Sequence, residues 1–476
     1  MSIVWQSQYN KIILSENDRD TKRRIQMKKR VLSMLLVASM TGALLAGCGS
    51  GETASTDASA DAAADTNTAA AGTETAADAA ATDGEAVTLK WAIWDQETTP
   101  YWNALKEAYE AANPNVTIEM VDLGSTDYMT VLATELSGSG SDFDVVTIKD
   151  VPGYATLVQK NTLESLDDNL ADFNGITDQV TVDGSLYELP FRSDYWLIYY
   201  NKDVFDAAGI AYPSNDMTME DYDALARQLT DTTYGSQVYG CHYHTWRSAV
   251  ELFGILDGKH SILDGNYDWM IPYYDMILSE EDDGVCQTYT DLSTEGLHYS
   301  AAFSNGNVAM MNMGSWFIST LISNLDSGEY DSSLCGNWGI ASYPHPDGAE
   351  AGSTIATITG LAVTSASANK DAAFDFVNWV SGTEGAKVMA STGNFPAIMT
   401  DDVINTIAGM AGFPTDEGSK EALNITNAYL EVPYAENVSE INSILDTYHT
   451  SIMNREVTVE EGVASMNEQV GKILNQ

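Results

Sequence analysis

Stretches with a strand-like hydrophobic pattern alternate with helix-like stretches along residues 87–148. Stretches in which apolar and polar positions alternate, typical of half-buried strands, are followed by stretches with the three- and four-residue spacing of a helix that faces a core. The pattern predicts strands over 87–94, 116–121 and 144–148, and helices over 101–112 and 128–136. Because strands that alternate with helices form right-handed βαβ units with parallel strands, the sequence predicts an α/β fold.

The ends of these strands point to two loops. In open α/β sheets, ligands bind beyond the carboxyl ends of the parallel strands. The first predicted strand leads into the loop 94–97, and the third leads into Lys149 and Asp150. The pattern therefore predicts a ligand site that these two loops help to form.

The amino-terminal 48 residues carry an export signal. The basic residues 27–30 precede an apolar stretch over 31–46, which is too short to span a membrane comfortably. It ends in a Leu-Ala-Gly-Cys sequence that resembles the lipobox of bacterial lipoproteins, which implies that Cys48 carries a diacylglycerol and begins the mature chain. An ordinary secretory signal is the alternative. Met27 is a better translation start than Met1, because the signal begins there. Residues 1–26 therefore reflect either a misassigned start codon or an unusually long n-region.

Residues 49–86 have the composition of a tether. They contain Ala, Thr, Asp, Ser, Gly and Glu apart from Asn67, and no basic, aromatic or branched aliphatic residue. Such a segment buries too little apolar surface to offset the conformational entropy lost on folding. As a flexible coil it would span about 35 Å. The composition does not distinguish a tether of required length from a plain spacer.

The charge balance excludes several classes of function. The 476 residues hold 22 Lys and Arg against 69 Asp and Glu, a net charge of −47. Without a basic stripe we expect no nucleic-acid binding and no electrostatic docking on an anionic membrane. No apolar run reaches the roughly 20 residues of a spanning helix. The arginines beyond residue 48 are few enough for each position to be informative: Arg192, Arg227, Arg247 and Arg455.

The cysteines do not form a disulfide framework. Beyond Cys48 the chain holds Cys241, Cys286 and Cys335, which allow one disulfide or three buried thiols. The run from Cys241 to His244 places soft-metal ligands close together, but no second ligand pair is evident in the sequence. The sequence therefore predicts no metal and no cofactor.

A longer motif identifies the family. Residues 183–203 contain the pattern Gly-x-Leu-Tyr-x-Leu-Pro-Phe, then an acidic residue, then Tyr-Tyr-Asn-Lys-Asp, with Asp183-Gly184 as a predicted hairpin turn. This pattern resembles the extracellular solute-binding proteins that supply sugars to ABC importers. Segments 303–316, 359–380 and 393–397 match the same family in the same order. The resemblance covers residues 87–476.

The resemblance implies the architecture. The family fold is the α/β, two-lobe periplasmic-binding-protein-like fold of type II, in which two lobes joined by a hinge close on a ligand in the cleft between them. The matching segments imply one lobe over 87–195 and 356–398 and the other over 196–355 and 399–476. The long strand predicted over 191–200 would run through the hinge.

The resemblance also implies which residues hold a sugar. A sugar presents hydroxyl edges and apolar C–H faces, so its site needs planar polar groups and aromatic rings. Seven positions match places where the family contacts its ligand, with His244 beside those of the second lobe: Asp95, Gln96, Asp150, Asp194, Trp246, Arg247 and Trp316. Arg192 is an eighth candidate, because it is one of the few arginines and lies two residues from Asp194.

Each candidate also has a plainer explanation. An Asp after a strand is often only a helix N-cap, and a Trp in a strand more often belongs to the core. For Trp316, the bend expected at Gly314-Ser315 favours stacking on a ligand. Arg192 and Asp194 point to the same side of a strand, so Arg192 either bonds the ligand or orients Asp194.

The implied function is that of a receptor. The chain is expected to be a monomeric lipoprotein on the extracellular face of the bacterial cytoplasmic membrane. It would capture a carbohydrate, expected to be an oligosaccharide, and deliver it to the permease of an ABC importer without chemical change. A secreted glycan-degrading enzyme or an adhesion lipoprotein is the alternative, and with 69 acidic residues a pair of carboxylates does not distinguish them.

Overall fold

The computed structural model describes residues 86–97, 99–138, 142–166, 177–230 and 238–475. The predicted export signal with Cys48, and the predicted tether up to residue 85, lie outside these residues. Among the described helices, none combines the length and apolar character that crossing a membrane requires.

The first part of the chain alternates strands and helices. The elements are β1 Val87–Ile93, α1 Pro100–Ala112, β2 Val116–Asp122, α2 Tyr128–Ser137, β3 Val145–Ile148 and α3 Val151–Gln159. Strand β1 pairs in parallel with both β2 and β3, which confirms the predicted parallel sheet. Each predicted element is present, with bounds that differ by one or two residues.

Helix α1 shows how the periodicity becomes packing. Its buried face consists of Tyr101, Trp102, Leu105 and Tyr109. The Trp102 ring meets the Trp91 ring of β1 edge-on, with centroids 5.2 Å apart. Helix α1 ends at Ala112, and the Asn113 backbone N–H donates to the Tyr109 carbonyl. The aromatic face therefore holds the start of α1 against the sheet.

The rest of the chain completes one connected sheet with helices packed around it. The strand order is β2-β1-β3-β8-β4-β6-β5, β7 pairs with β4, and β9 pairs with β8. The elements in chain order are a 3₁₀ turn Thr177–Gln179, β4 Leu189–Asn201, α4 Lys202–Ala208, α5 Met219–Leu229, β5 Tyr239–His242, α6 Ser248–Ile255, a 3₁₀ turn Asp268–Met270, α7 Ile271–Asp282, α8 Tyr289–Glu295, α9 Tyr299–Ser304, β6 Val308–Gly314, α10 Trp316–Ser327, α11 Ser332–Cys335, β7 Trp338–Ser342, β8 Thr354–Val363, α12 Lys370–Ser381, α13 Thr383–Ser391, α14 Asp401–Ala408, α15 Glu417–Glu421, β9 Ala428–Leu430, α16 Val438–Met453 and α17 Val459–Leu474.

Strand β4 changes its hydrogen-bonding partner halfway along. From Leu189 to Tyr195 it pairs antiparallel with β8, and from Trp196 onward it pairs with β6 and β7. At the change, the Ser315 backbone N–H donates to the Tyr195 carbonyl at 2.8 Å. The Thr354 hydroxyl donates to the Trp196 carbonyl at 2.6 Å. One continuous strand therefore joins the two halves of the sheet.

The three described cysteines are all buried free thiols. Of the two arrangements that the sequence left open, the structure has three thiols and no disulfide among Cys241, Cys286 and Cys335. Cys335 donates through Sγ to the Asp331 carbonyl and lies in a different core cluster from Cys241 and Cys286.

Candidate functional site

A cavity of about 1000 Å³ lies beside β4, at the level where that strand changes partners. One wall comes from the β1–α1 loop and the start of α1, and the opposite wall comes from α10 and the residues around β7. Further lining residues come from the turn after α13 and from the segment after α14. The side chains used in the argument are Trp94, Tyr101, Arg192, Trp316, Trp338 and Asn394.

Four aromatic side chains line the cavity: Trp94, Tyr101, Trp316 and Trp338. Trp316 is the first residue of α10, and the bend predicted at Gly314-Ser315 lies between it and the rest of β6. Its ring contacts those of Trp196 and Trp246, with centroids 5.5 and 6.3 Å away, and its Nε1 donates to the Tyr299 hydroxyl at 3.1 Å. The ring is therefore held from several sides, and the half-buried side chain lines the cavity.

Gly314 makes this position of the Trp316 ring available. A Cβ atom at residue 314 would lie 1.9 Å from the Trp316 ring, far inside van der Waals contact. The bend predicted at Gly314-Ser315 therefore exists because the indole folds back over a residue that has no side chain.

Arg192 and Asp194 form a pair at the base of the cavity. Arg192 lines the cavity, and its Nη2 lies 2.6 Å from Asp194 Oδ2. Asp194 is buried and also accepts from the Ser315 hydroxyl at 3.1 Å. Burial raises the pKa of Asp194, and the neighbouring guanidinium opposes that rise. Asp194 thus lies behind Arg192 and orients it, with the Tyr101 ring 5.8 Å from the guanidinium carbon.

Asp95 and Gln96 lie in the β1–α1 loop, outside the residues that line the cavity. The Asp122 carboxylate accepts from the backbone N–H groups of both, at 3.1 and 2.8 Å. Burial acts to raise the pKa of Asp122, but the backbone donors outweigh it and the pKa lies below its usual value. The Gln96 side chain donates to Asn103. In this arrangement the loop presents Trp94, rather than Asp95 or Gln96, to the cavity.

Asp150 occupies the N-cap of α3. Its side chain accepts from the Gly153 backbone N–H at 2.7 Å. This is the hydrogen bond of a helix N-cap, the plainer explanation given above for an Asp after a strand. It does not line the cavity. The loop after β3 carries Lys149 as well, whose Nζ lies 5.4 Å from the centre of the Trp94 ring. The two loops predicted from the strand ends therefore meet at Trp94.

Trp246 and Arg247 line a second cavity of about 290 Å³. Trp246 is exposed, and its ring lies 4.5 Å from the ring of His244. Arg247 is buried, with 4% of its side chain exposed, and forms ion pairs with Glu251 at 2.5 Å and Asp446 at 2.7 Å. Protein acceptors therefore engage the Arg247 guanidinium, whereas the sequence predicted a ligand contact.

Glu431 faces the same second cavity, and it carries a pH-dependence prediction. Burial, with the charge of Glu251, raises its pKa from 4.5 to about 7. A carboxyl group that keeps its proton longer in the folded state favours folding at low pH, so its contribution is lost as the pH rises from about 4.5 to about 7. We expect Glu431→Gln to remove that loss, which amounts to at most about 1.4 kcal/mol per pH unit.

The measurement is the free energy of urea unfolding between pH 5 and pH 8. The variant should gain stability relative to the parent protein as the pH rises, and the exposed Glu436→Gln should not. A stability difference between Glu431→Gln and the parent that does not change with pH would contradict the prediction.

The sequence argument missed most of the cavity walls. Tyr101, Trp338 and the polar face of α10 were not singled out, although Trp94 lies in a loop that the strand-end rule had indicated. Asn394 lies within the 393–397 segment that matched the family. Of the eight predicted contacts, Arg192 and Trp316 line the large cavity.

Known proteins resemble this chain in sequence and in fold. The family model described as bacterial extracellular solute-binding protein matches residues 95–387. A sugar transporter of Rhizobium etli, solved in an open conformation, is 48% identical with a TM-score of 0.77, and the match covers 81% of this chain and 99% of that one.

More distant relatives agree. A binding protein of Brucella abortus is 27% identical over 49% of this chain, which spans 59% of the length of that relative. A lactose-binding protein of Rhizobium radiobacter is 27% identical over 57% of this chain and 65% of its own length. These are binding proteins, and the solved neighbours have the two-lobe fold. The chain belongs to the bacterial extracellular solute-binding protein family.

Proposed function

We propose that this protein captures a carbohydrate of several sugar units in the large cavity and releases it unchanged to an ABC importer. The observation that carries the proposal is the aromatic-walled cavity with an oriented arginine at its base. The Rhizobium etli relative, a sugar transporter, supports the ligand class because it is 48% identical and covers most of the chain.

The chemistry of the walls suits a sugar. The rings of Trp94, Tyr101 and Trp316 offer flat apolar faces for the C–H faces of a pyranose. Hydroxyl and amide side chains for the hydroxyl edges come from Ser319 and Asn394, and the Arg192 guanidinium supplies donors only. A volume of about 1000 Å³ lies at the upper end of small-molecule sites, which favours an oligosaccharide over a single sugar.

We further propose that two lobes close on the sugar. The lobes are residues 87–195 with 356–398 and residues 196–355 with 399–476. The exchange of partners within β4, between Tyr195 and Trp196, supports the first boundary. Since the cavity walls come from both sets of residues, a bound sugar can favour the closed form through contacts that the open form lacks.

Binding without catalysis is testable directly. A thermal-shift screen over oligosaccharides should identify a ligand that raises the melting temperature, with a Kd on the order of micromolar. Small-angle scattering should then show a smaller radius of gyration with that sugar bound. Product sugars on chromatography after long incubation would instead establish a glycan-degrading enzyme.

Anchoring gives a separate prediction. If Cys48 carries a diacylglycerol, its two acyl chains give stable membrane attachment. Cys48→Ser cannot carry that lipid, so the variant should be released into the medium or keep an uncleaved signal. Fractionation of cells and a mass measurement of the amino terminus check this. A cleaved Cys48→Ser chain that stays in the membrane fraction would contradict it.

A further inference from the structure

Three metal-ligating side chains meet inside the protein, away from the large cavity. They are Cys241 of β5, Glu280 of α7 and Cys286 in the segment that follows α7. The two sulfur atoms and a carboxylate oxygen all lie within 4.8 Å of one another. Cys241 and Glu280 are fully buried and Cys286 is 2% exposed. None of the three lines the cavity assigned to the sugar.

Backbone hydrogen bonds bring the three together. After α7 the chain turns back, and the Val285 N–H donates to the Glu280 carbonyl at 2.8 Å. The Val285 carbonyl in turn accepts from the Cys241 N–H at 3.4 Å. Cys286 is therefore held beside both, although about 45 residues separate it from Cys241. Glu280 and Cys286 are thus the further metal-ligating residues that were not evident from the sequence around Cys241.

The protein satisfies the polar atoms of this cluster incompletely. Cys241 Sγ donates to Glu280 Oε1 at 3.7 Å. Within the described residues, Glu280 Oε2 and the hydroxyls of Tyr222 and Tyr243 have no hydrogen-bond partner although they are buried. A buried polar atom without a partner loses its hydrogen bonds to water without compensation, which lowers stability. One oxygen of the Glu280 carboxylate is therefore left without a hydrogen bond from the described part of the chain.

We propose that Cys241, Glu280 and Cys286 bind a soft divalent cation of the zinc type, as a structural site independent of sugar binding. Thiolate sulfur and carboxylate oxygen are zinc ligands, and tetrahedral bonds of about 2.3 Å place two sulfurs about 3.8 Å apart. That spacing lies within the separation the protein already provides. Tyr243 is a neighbour of both Cys241 and Glu280.

The cation accounts for the cluster better than the alternatives do. Binding releases the thiol protons, and the carboxyl proton where Glu280 holds one, to solvent, and the divalent cation then offsets two of the three negative charges on its ligands. A disulfide between the two cysteines would remove the thiol that donates to Glu280. If both cysteines remain free thiols, Glu280 Oε2 stays without a hydrogen-bond partner among the residues that the structure describes.

The test uses the full chain, purified under reducing conditions and freed of metal. We expect competitive titration against a chromophoric chelator to show one Zn²⁺ bound per chain, and Co²⁺ to give a thiolate-to-metal charge-transfer absorption. Cys286→Ser should lower the affinity for Zn²⁺ by more than about tenfold. The matched control is Cys335→Ser, which removes the third buried cysteine and should bind as the parent does.

The outcomes are separable. Sugar-induced thermal stabilisation of Cys286→Ser would show that this variant is folded. If it does not fold, the cobalt spectrum of the parent chain decides, because that absorption requires sulfur ligation. The proposal is overturned if the reduced parent binds no Zn²⁺, if Cys335→Ser loses as much affinity as Cys286→Ser, or if the protein as isolated is two hydrogens lighter because Cys241 and Cys286 have formed a disulfide.

Discussion

Replacing Trp316 with alanine should weaken carbohydrate binding by about 2 kcal/mol or more, a factor of about 30 in Kd. The Trp316 ring is a preorganised stacking face, because Trp196, Trp246 and Tyr299 hold it before any ligand arrives. The variant loses the apolar contact with the sugar and also the rigidity of that wall. Titration calorimetry with the sugar identified by thermal shift measures the change.

Two further variants make the result specific. Trp316→Phe should retain part of the affinity, since it keeps an aromatic face. Trp379→Ala removes a half-buried indole of α12 that packs on Tyr109 and does not line the cavity. It should lower stability and leave Kd unchanged. An unaltered Kd for Trp316→Ala would remove Trp316 from the proposed binding site.

Replacing Arg247 with methionine should lower the free energy of unfolding by about 3–5 kcal/mol. Glu251 is fully buried and Arg247 is its ion-pair partner. Without Arg247 the carboxylate must stay charged in the interior or take up a proton, and both states cost free energy. Chemical denaturation of the parent and the variant gives the difference.

The controls use a second arginine, Arg227, and the carboxylate that pairs with Arg247, Glu251. Arg227→Met removes ion pairs to Asp223 and Asp283 near the surface, where a pair contributes at most about 1 kcal/mol. The double variant Arg247→Met with Glu251→Leu should recover much of the lost stability. If Arg247→Met keeps full stability but loses sugar affinity, Arg247 is the ligand contact that the sequence predicted.

The strands and helices near the amino end of the fold could be predicted because their signals are local. Alternation within β1 and the helical spacing of Trp102, Leu105 and Tyr109 are properties of adjacent residues. Trp316 shows the limit of this approach. Its indole, at the start of α10, folds over Gly314, a contact that strand periodicity does not encode.

The site depended on contacts between distant parts of the chain. Arg247 meets Asp446, which is 199 residues away, so its ion pair could not be read from its neighbours. Asp95 and Asp150 occupy the loops that the topology indicated, but the Asp95 backbone N–H donates to Asp122 at the end of β2 and the Asp150 side chain caps α3. Strand ends predict the place of a site, whereas its side chains depend on packing.

The continuous strand β4 has a consequence for how the protein unfolds. Residues 189–195 lie in the ladder with β8, and residues 197–200 lie between β6 and β7. Unfolding of either half of the sheet would remove the paired strands from one half of β4. It would also expose backbone N–H and C=O groups in the other half. The two halves should therefore lose structure in one cooperative transition, with a calorimetric enthalpy equal to the van't Hoff enthalpy.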